Sequence, residues 1–479
     1  MNSVPARDLG VLAAILLLAL VLRLVGLNAP LWYDEILTVD THLRLPWSGM
    51  VQSYSMNHHY FFDLQAKAVM DVFGEAAWTA RLPAMLFGLA TIVAVWVLAR
   101  DVATPVVAHV TALLLALSYH QIWFSQNARG YTELAFWSTL GLVFFLRGLR
   151  DPRPGLWLGF GLTLAAATYT HLTGAFFFAA LGAVWLLALV RGGGDRRLVW
   201  MPLIGAVLGL ALTLLAYAPL IPSLGDTVAA VGDTSAIDVM QEYQNPLWTA
   251  LEAVRTGIGS GGALVGLVAV LVLGLSVTGG VVAARKEPWF APAVLLHIVL
   301  TVAVLMVLGM RIWPRFFFAD IGFLMMLIVL GVQAVCAFVA RLIGRQGWAQ
   351  GAFAAAVVAM VLVSGAMAAR NYQAPKQNLA GAVALVEAIR QPGERVYAVG
   401  PAATAFTGYF QTGWQIITDN EGYRAALAEP GPVLLVVAFP ARVLRRVDQM
   451  QADRDGVLTE LKWFPGTLGD GGVVLFRRP

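Results

Sequence analysis

Two adjacent carboxylates stand among aromatic residues near the start of the chain, in Pro30-Leu31-Trp32-Tyr33-Asp34-Glu35. A carboxylate at the rim of an apolar region suits a general base or a ligand for a polar group. Alone, such an acid also reads as a solvated loop residue, and its company decides between the two. Asn57-His58-His59-Tyr60 closes the same segment, followed by Lys67, Asp71 and Arg81 as isolated charges in apolar surroundings. Histidines beside carboxylates serve as metal ligands, acid/base groups or hydrogen-bonding loop residues. No His-x-x-x-His spacing on a helix singles out a metal, and a positioning role for His58 or His59 fits better. A third cluster is Ser125-Gln126-Asn127-Ala128-Arg129-Gly130-Tyr131, and a fourth is Arg311-Ile312-Trp313-Pro314-Arg315-Phe316-Phe317-Phe318. A guanidinium fork matches phosphate oxygens bidentately; the plain alternative for each Arg is snorkelling to lipid headgroups. Only four of the 32 basic residues are lysine, which points to a bacterial GC-rich codon bias and lowers the weight of any single Arg.

The elements that hold these clusters are apolar. Of 479 residues, 59% are hydrophobic and 13% charged, about half the charged share of a soluble domain, which excludes an ordinary soluble enzyme. Apolar runs near the length of a bilayer span recur at roughly 9–27, 78–99, 102–118, 131–147, 155–172, 174–190, 199–222, 260–284, 289–310, 316–340 and 350–369. The first reads as an uncleaved anchor. About eleven transmembrane helices are therefore predicted. Alternate junctions carry Arg7; Arg100; Arg147, Arg150 and Arg153; Arg191, Arg196 and Arg197; Arg285 and Lys286; and Arg341 and Arg345. The positive-inside rule makes those junctions cytoplasmic. Segment 28–77, segment 119–130, an acidic loop with Asp226, Asp233, Asp238 and Glu242, and the tail then face outward, so all four clusters share one membrane face. Gly192–Gly194 reads as a loop.

From Arg370 onward stand 22 of the 60 Asp, Glu, Lys and Arg residues, so a membrane domain over 1–369 is followed by a soluble domain over 370–479. That tail reads as small α/β, with a helix near Asn378–Arg390 and strands at Val396–Val399, Val433–Phe439 and Val473–Phe476. An odd helix count puts it opposite the N-terminus, in the periplasm. The single Cys336 allows no intrachain disulfide, no nucleotide-binding glycine pattern occurs, and a net charge of +4 suggests no nucleic-acid partner.

The ordered set of clusters resembles the GT-C glycosyltransferases, in the bacterial branch related to protein O-mannosyltransferases and the aminoarabinose transferase of lipid A. Trp32-Tyr33-Asp34-Glu35 is similar to the family's first-loop Asp-Glu motif. Phe73-Gly74-Glu75 to Ala80-Arg81-Leu82-Pro83, Ser125 to Tyr131, and Arg315-Phe316-Phe317 agree in order and side, and Thr170-His171-Leu172-Thr173-Gly174 matches a weaker feature. Family members usually read His-Pro-Pro or Lys-Pro where this chain has Asn57-His58-His59. The resemblance covers most of 1–340 and hardly touches the tail.

It implies inverting transfer of a sugar from a polyprenyl-phosphate donor to an acceptor hydroxyl on a glycolipid, polysaccharide or protein, at the periplasmic face of the bacterial inner membrane. Asp34 and Glu35 are then the catalytic candidates. His58, Arg81, Gln126, Arg129, Tyr131, Arg311 and Arg315 are donor-phosphate candidates, with His59, Lys67 and His171 as acceptor or positioning residues. A monophosphate can leave with arginine help, so no cofactor or obligatory metal is expected. Two other readings stay open: a metal-dependent transferase with a lipid-pyrophosphate donor, liganding through His58, His59, Asp34 and Glu35, and a lipid-linked-sugar transporter or flippase.

Overall fold

The computed structural model describes residues 4–55, 57–191, 196–223, 241–258, 262–454, 456–467 and 469–479. The expected loop at Gly192–Gly194 and the acids Asp226, Asp233 and Asp238 lie outside them. Each apolar run forms a helix: Ala6–Leu24, Ala77–Val102, Pro105–Leu117, Tyr131–Arg150, Pro154–Thr170, Thr173–Arg191, Arg197–Tyr217, Ala263–Ala283, Phe290–Val307, Asp320–Leu342 and Ala349–Ala369. Among the described residues, seven helices are long and apolar enough to cross a membrane. Pro105–Leu117 bends by 59° into Tyr119–Ser125, and counting that pair as one span gives eight. The remaining three are shorter or more polar. Ala6–Leu24 includes Arg7, Asp8 and Arg23, Tyr131–Arg150 includes Glu133, Arg147 and Arg150, and Pro154–Thr170 has 17 residues, about 25 Å of rise against a hydrocarbon core of about 30 Å. The chain is a multi-pass membrane protein.

Local chemistry sets the helix boundaries and their spacing. Thr104 accepts the Val107 N–H at 3.3 Å and Pro105 takes the first helical position, both standard start signals. The 59° bend is pinned by Arg23, fully buried in the first helix, which donates to Ser125 Oγ at 3.0 Å and to the Ala116 carbonyl at 3.2 Å. Helices Ala263–Ala283 and Asp320–Leu342 touch through their backbones. A Cβ at Gly279 would lie 1.9 Å from the Leu327 oxygen, and one at Gly331 2.1 Å from that of Leu275; small residues permit such approach between apolar helices.

Several of the predicted basic junctions meet at one end of the bundle. Arg100 pairs with Asp8, Arg147 with Asp101 at 2.6 Å and Arg150 with Glu287, while Lys286 donates to the Ala103 carbonyl at 2.5 Å.

At the other end sits the tail, a five-stranded sheet in the order β2-β1-β3-β5-β4. Its strands are β1 (Arg395–Val399), β2 (Gln415–Ile417), β3 (Val433–Ala438), β4 (Thr459–Phe464) and β5 (Val473–Arg478). β1 runs parallel to β2 and β3, whereas β5 is antiparallel to β3 and β4. Central β3 is buried along its whole length, as its unbroken apolar run Val433–Ala438 requires. Helix Leu379–Ile389 is capped by Asn378, whose side chain accepts the Gly381 N–H at 3.0 Å. The tail does not stand apart. Leu31, Ile36, Val39 and Leu43 of the first loop share a single apolar core with Leu379, Phe406, Phe439 and Val473.

Candidate active site

The two adjacent acids occupy opposite settings. The short helix Tyr33–Thr38 follows the extended Trp32 and turns Glu35 inward. Glu35 accepts from Arg81 Nε at 2.7 Å, Arg81 Nη2 at 2.6 Å, the Ala128 N–H at 2.7 Å and the Trp32 N–H at 3.2 Å. Arg81 also donates to the carbonyls of Leu27, Ala29 and Pro30 at 2.8, 2.7 and 3.2 Å. Burial raises the Glu35 pKa, but the charges of Arg81 and Lys376 and the bonds from Arg81 and Ala128 outweigh it and leave the group below the usual carboxylate range. Lys376, from the tail, donates to the Gln126 carbonyl, lies 5.2 Å from the Trp123 ring centre, and is pushed down to about 7 by burial and by Arg81.

Asp34, one residue earlier, is partly open. Its nearest cation is Arg315, with Nη1 3.6 Å from Oδ2. Arg315 reaches it from the Pro314–Phe317 turn, is stacked 4.8 Å over Trp313, and has an Nε without a protein partner. Arg129 is buried and held by neutral acceptors, Thr38 Oγ1 at 3.2 Å and Asn57 Oδ1 at 3.1 Å, and its Nε is unpartnered. Among the described residues it meets no carboxylate at ion-pair distance, so its charge is uncompensated inside the protein. His59 lies between Tyr131 and His171, at ring-centre distances of 4.6 and 4.8 Å, and neither ring nitrogen has a partner. Burial, then Arg129 and His171, hold its pKa well below the ordinary histidine value.

The structure therefore brings together Asp34, His59, Arg129, Tyr131, His171 and Arg315. It commits other expected donor contacts to the scaffold. Every nitrogen of Arg81 is occupied as above. Gln126 bridges the end of the first helix and the tail, donating to the carbonyls of Arg23 and Val25 at 2.9 and 2.5 Å and accepting from Asn371 at 2.8 Å. Lys67 donates to the Leu43 carbonyl at 3.1 Å and to Asp71 at 3.3 Å. Arg311 lies within electrostatic reach of Arg442. His58 turns away from the open site: its Nδ1 is 3.4 Å from Asp63 Oδ2, and its ring is 3.8 Å from that of His42. The ligand set His58, His59, Asp34 and Glu35 does not converge. Among the described residues, the metal-type donors that lie together are His42, His58 and Asp63.

Sequence reasoning missed the tail's share. Tyr33 packs edge-on against Phe439 at 5.5 Å and donates its N–H to Gln377 at 3.3 Å. Arg442, largely buried, lies over the Phe439 ring at 4.7 Å within the field of Asp34 and Arg315. An Arg two residues past a Pro that starts a short helix gives no such signal in the sequence.

Residues 57–221 match the family described as dolichyl-phosphate-mannose-protein mannosyltransferase. No curated protein matches the sequence. Among solved structures, ArnT from Cupriavidus metallidurans in the apo state superposes with a TM-score of 0.56 at 15% identity, covering 98% of both chains. The same protein bound to undecaprenyl phosphate gives 0.56 at 17%, again over 98% of both. The Archaeoglobus fulgidus oligosaccharyltransferase tethered to an acceptor peptide gives 0.57 at 14%, over 93% of this chain and 72% of that one. The chain has the GT-C glycosyltransferase fold. Within that GT-C fold, the end of the bundle that carries the first loop and tail also carries Asp34, Arg129 and Arg315.

Proposed function

We propose that this protein is a membrane glycosyltransferase that moves a sugar from a polyprenyl-phosphate donor to an acceptor hydroxyl, with inversion, at the periplasmic face of a bacterial inner membrane. The observation that carries the reading is the buried, uncompensated Arg129 beside the lightly paired Asp34 and Arg315. Asp34 takes the acceptor proton as the acceptor oxygen attacks the anomeric carbon from the face opposite the phosphate. The bond from that carbon to the phosphate oxygen breaks, and polyprenyl phosphate leaves with its electron pair. Arg129 and Arg315 stabilise the growing phosphate charge. His59, Tyr131 and His171 form an aromatic cluster within the field of both arginines. Undecaprenyl phosphate bound to the similar ArnT supports the donor class, and the dolichyl-phosphate-mannose family match supports the same phosphate chemistry.

Sidedness rests on the basic junctions at the opposite end of the bundle. No obligatory metal ion is part of this proposal: Arg129 and Arg315 supply the positive charge opposite the donor phosphate. Purified chain in lipid vesicles, given polyprenyl-phosphate-linked sugars, should release polyprenyl phosphate and glycosylate extracted envelope acceptors. Release only from a pyrophosphate donor would overturn the reading, and mass spectra of envelope glycolipids with and without the intact gene identify the sugar and acceptor.

A further inference from the structure

The first loop holds a second cluster that the transfer chemistry does not use. His42 lies in the π-type turn Val39–Leu43, His58 just before the helix Tyr60–Phe73, and Asp63 in the first turn of that helix. All three are more than nine-tenths buried. His42 Nε2 lies 3.1 Å from the Met50 carbonyl oxygen, an acceptor only, so Nε2 is the donor of that contact. His42 Nδ1 faces Asp63 Oδ2 at 2.9 Å. His58 Nδ1 points at the same oxygen from 3.4 Å with no hydrogen-bond partner, and Asp63 Oδ1 is buried without one. The His59 N–H also donates to Asp63 Oδ2 at 3.1 Å.

Two imidazole nitrogens and a carboxylate thus converge within 4.8 Å of one another, a donor set that a single divalent ion can bridge. In a zinc site with bonds of about 2.0–2.2 Å, donors from separate residues in tetrahedral positions lie about 3.3–3.6 Å apart; the two nitrogen–oxygen separations here are 2.9 and 3.4 Å. The His42 Nε2 contact with a backbone carbonyl is the outer-shell bond that orients a metal-ligating imidazole.

We propose that His42, His58 and Asp63 bind a zinc-type divalent ion, with both Asp63 oxygens completing four-coordination, and that this ion fixes the first loop. Two histidines and a carboxylate also suit non-haem iron, but that chemistry needs open coordination positions, and these donors are enclosed. The ion ties Val39–Leu43 to the start of Tyr60–Phe73 and so fixes Asn57, which in turn holds Arg129 at 3.1 Å. The proposal does not rest on the transferase reading.

The full chain in lipid nanodiscs, stripped with a chelator and titrated with Co²⁺, should bind one ion per chain. It should then show the visible ligand-field bands of a four-coordinate site, and Zn²⁺ should displace the ion. X-ray absorption of the zinc form should find two imidazoles. Asp63→Asn and His42→Gln should weaken binding by more than about 100-fold, beyond the 10–100-fold typical of losing an outer-shell partner. Asp34→Asn should leave it unchanged, as should His109→Ala, in helix Pro105–Leu117 beside Asp8. Absence of stoichiometric binding by folded wild-type protein, binding that survives both ligand variants, or loss of binding in Asp34→Asn would each overturn the proposal. Should a ligand variant fail to fold, the wild-type absorption spectrum decides, since a zinc form without two imidazoles also overturns it.

Discussion

Two acid–arginine pairs, one residue apart on the same short helix, divide the labour of this end of the bundle. Glu35 and Arg81 form a closed knot with bonds of 2.6 and 2.7 Å, both side chains almost fully buried and every arginine nitrogen taken. Asp34 and Arg315 stand 3.6 Å apart and partly open, with arginine hydrogens free for another partner. The contrast teaches that charge at this face is of two kinds. A satisfied pair holds the chain in place, because removing one member leaves a costly buried ion. An unsatisfied pair is available to a substrate whose own charge changes during reaction.

The sharpest way to break this contrast is to neutralise each acid in turn. Asp34→Asn should lower turnover by about 10²–10⁴-fold, the worth of a general base, with an unchanged melting temperature. Near-normal turnover would remove Asp34 from the chemistry. Glu35→Gln should do the reverse. It leaves the Arg81 charge buried and unpaired, so stability should fall by about 3–5 kcal/mol, seen as a lower melting temperature, while each folded molecule keeps far more activity than Asp34→Asn.

The arginine side gives a smaller effect. Arg315→Lys keeps the charge but loses the bidentate fork, so kcat/KM for the lipid-linked donor should fall roughly 10–100-fold, with kcat sharing the loss because phosphate charge grows in the transition state. Arg81→Lys should instead register in stability. Wild-type kinetics in folded Arg315→Lys would favour headgroup snorkelling.

The smallest effect tests whether the tail belongs to the closed knot. The Lys376 ammonium has a pKa pushed down from 10.5 to about 7 in the folded protein. Between those values the unfolded chain binds more protons than the folded one, so stability rises with pH across that window and is lost as pH falls from 10.5 towards 7. Plotted from pH 7 to 9, the melting temperature should therefore climb more steeply for wild type than for Lys376→Met. Parallel curves would place Lys376 in water rather than against Trp123.

Much of this was legible in the sequence, because a charge inside an apolar run is conspicuous. The apolar helices, the gathering of basic junctions and the meeting of Asp34 with Arg315 all follow from such contrasts. The tail's buried strands were legible too, since Val433–Ala438 and Val473–Phe476 are continuously apolar. The edge strands were not: Gln415–Ile417 has three residues, and Thr459–Phe464 mixes polar and aromatic side chains on an exposed margin. Nor could the sequence separate Asp34 from Glu35. Their types and neighbours are alike, and the partner that distinguishes them, Arg81, lies 46 positions from Glu35 and arrives only through tertiary packing. Nothing in the sequence marks Arg23, inside the first apolar run, as the residue that secures the break after Leu117.

The apolar core shared by the first loop and the tail sets a timetable for biosynthesis. Leu31, Ile36 and Leu43 leave the ribosome early, whereas Leu379, Phe439 and Val473 are among the last residues made. With about 340–440 residues between these groups and synthesis at about 5–20 residues per second, the loop waits roughly 15–90 s for its partner surface. A newly inserted chain thus has its membrane helices well before the first loop, which carries Asp34, has the tail surface it packs against.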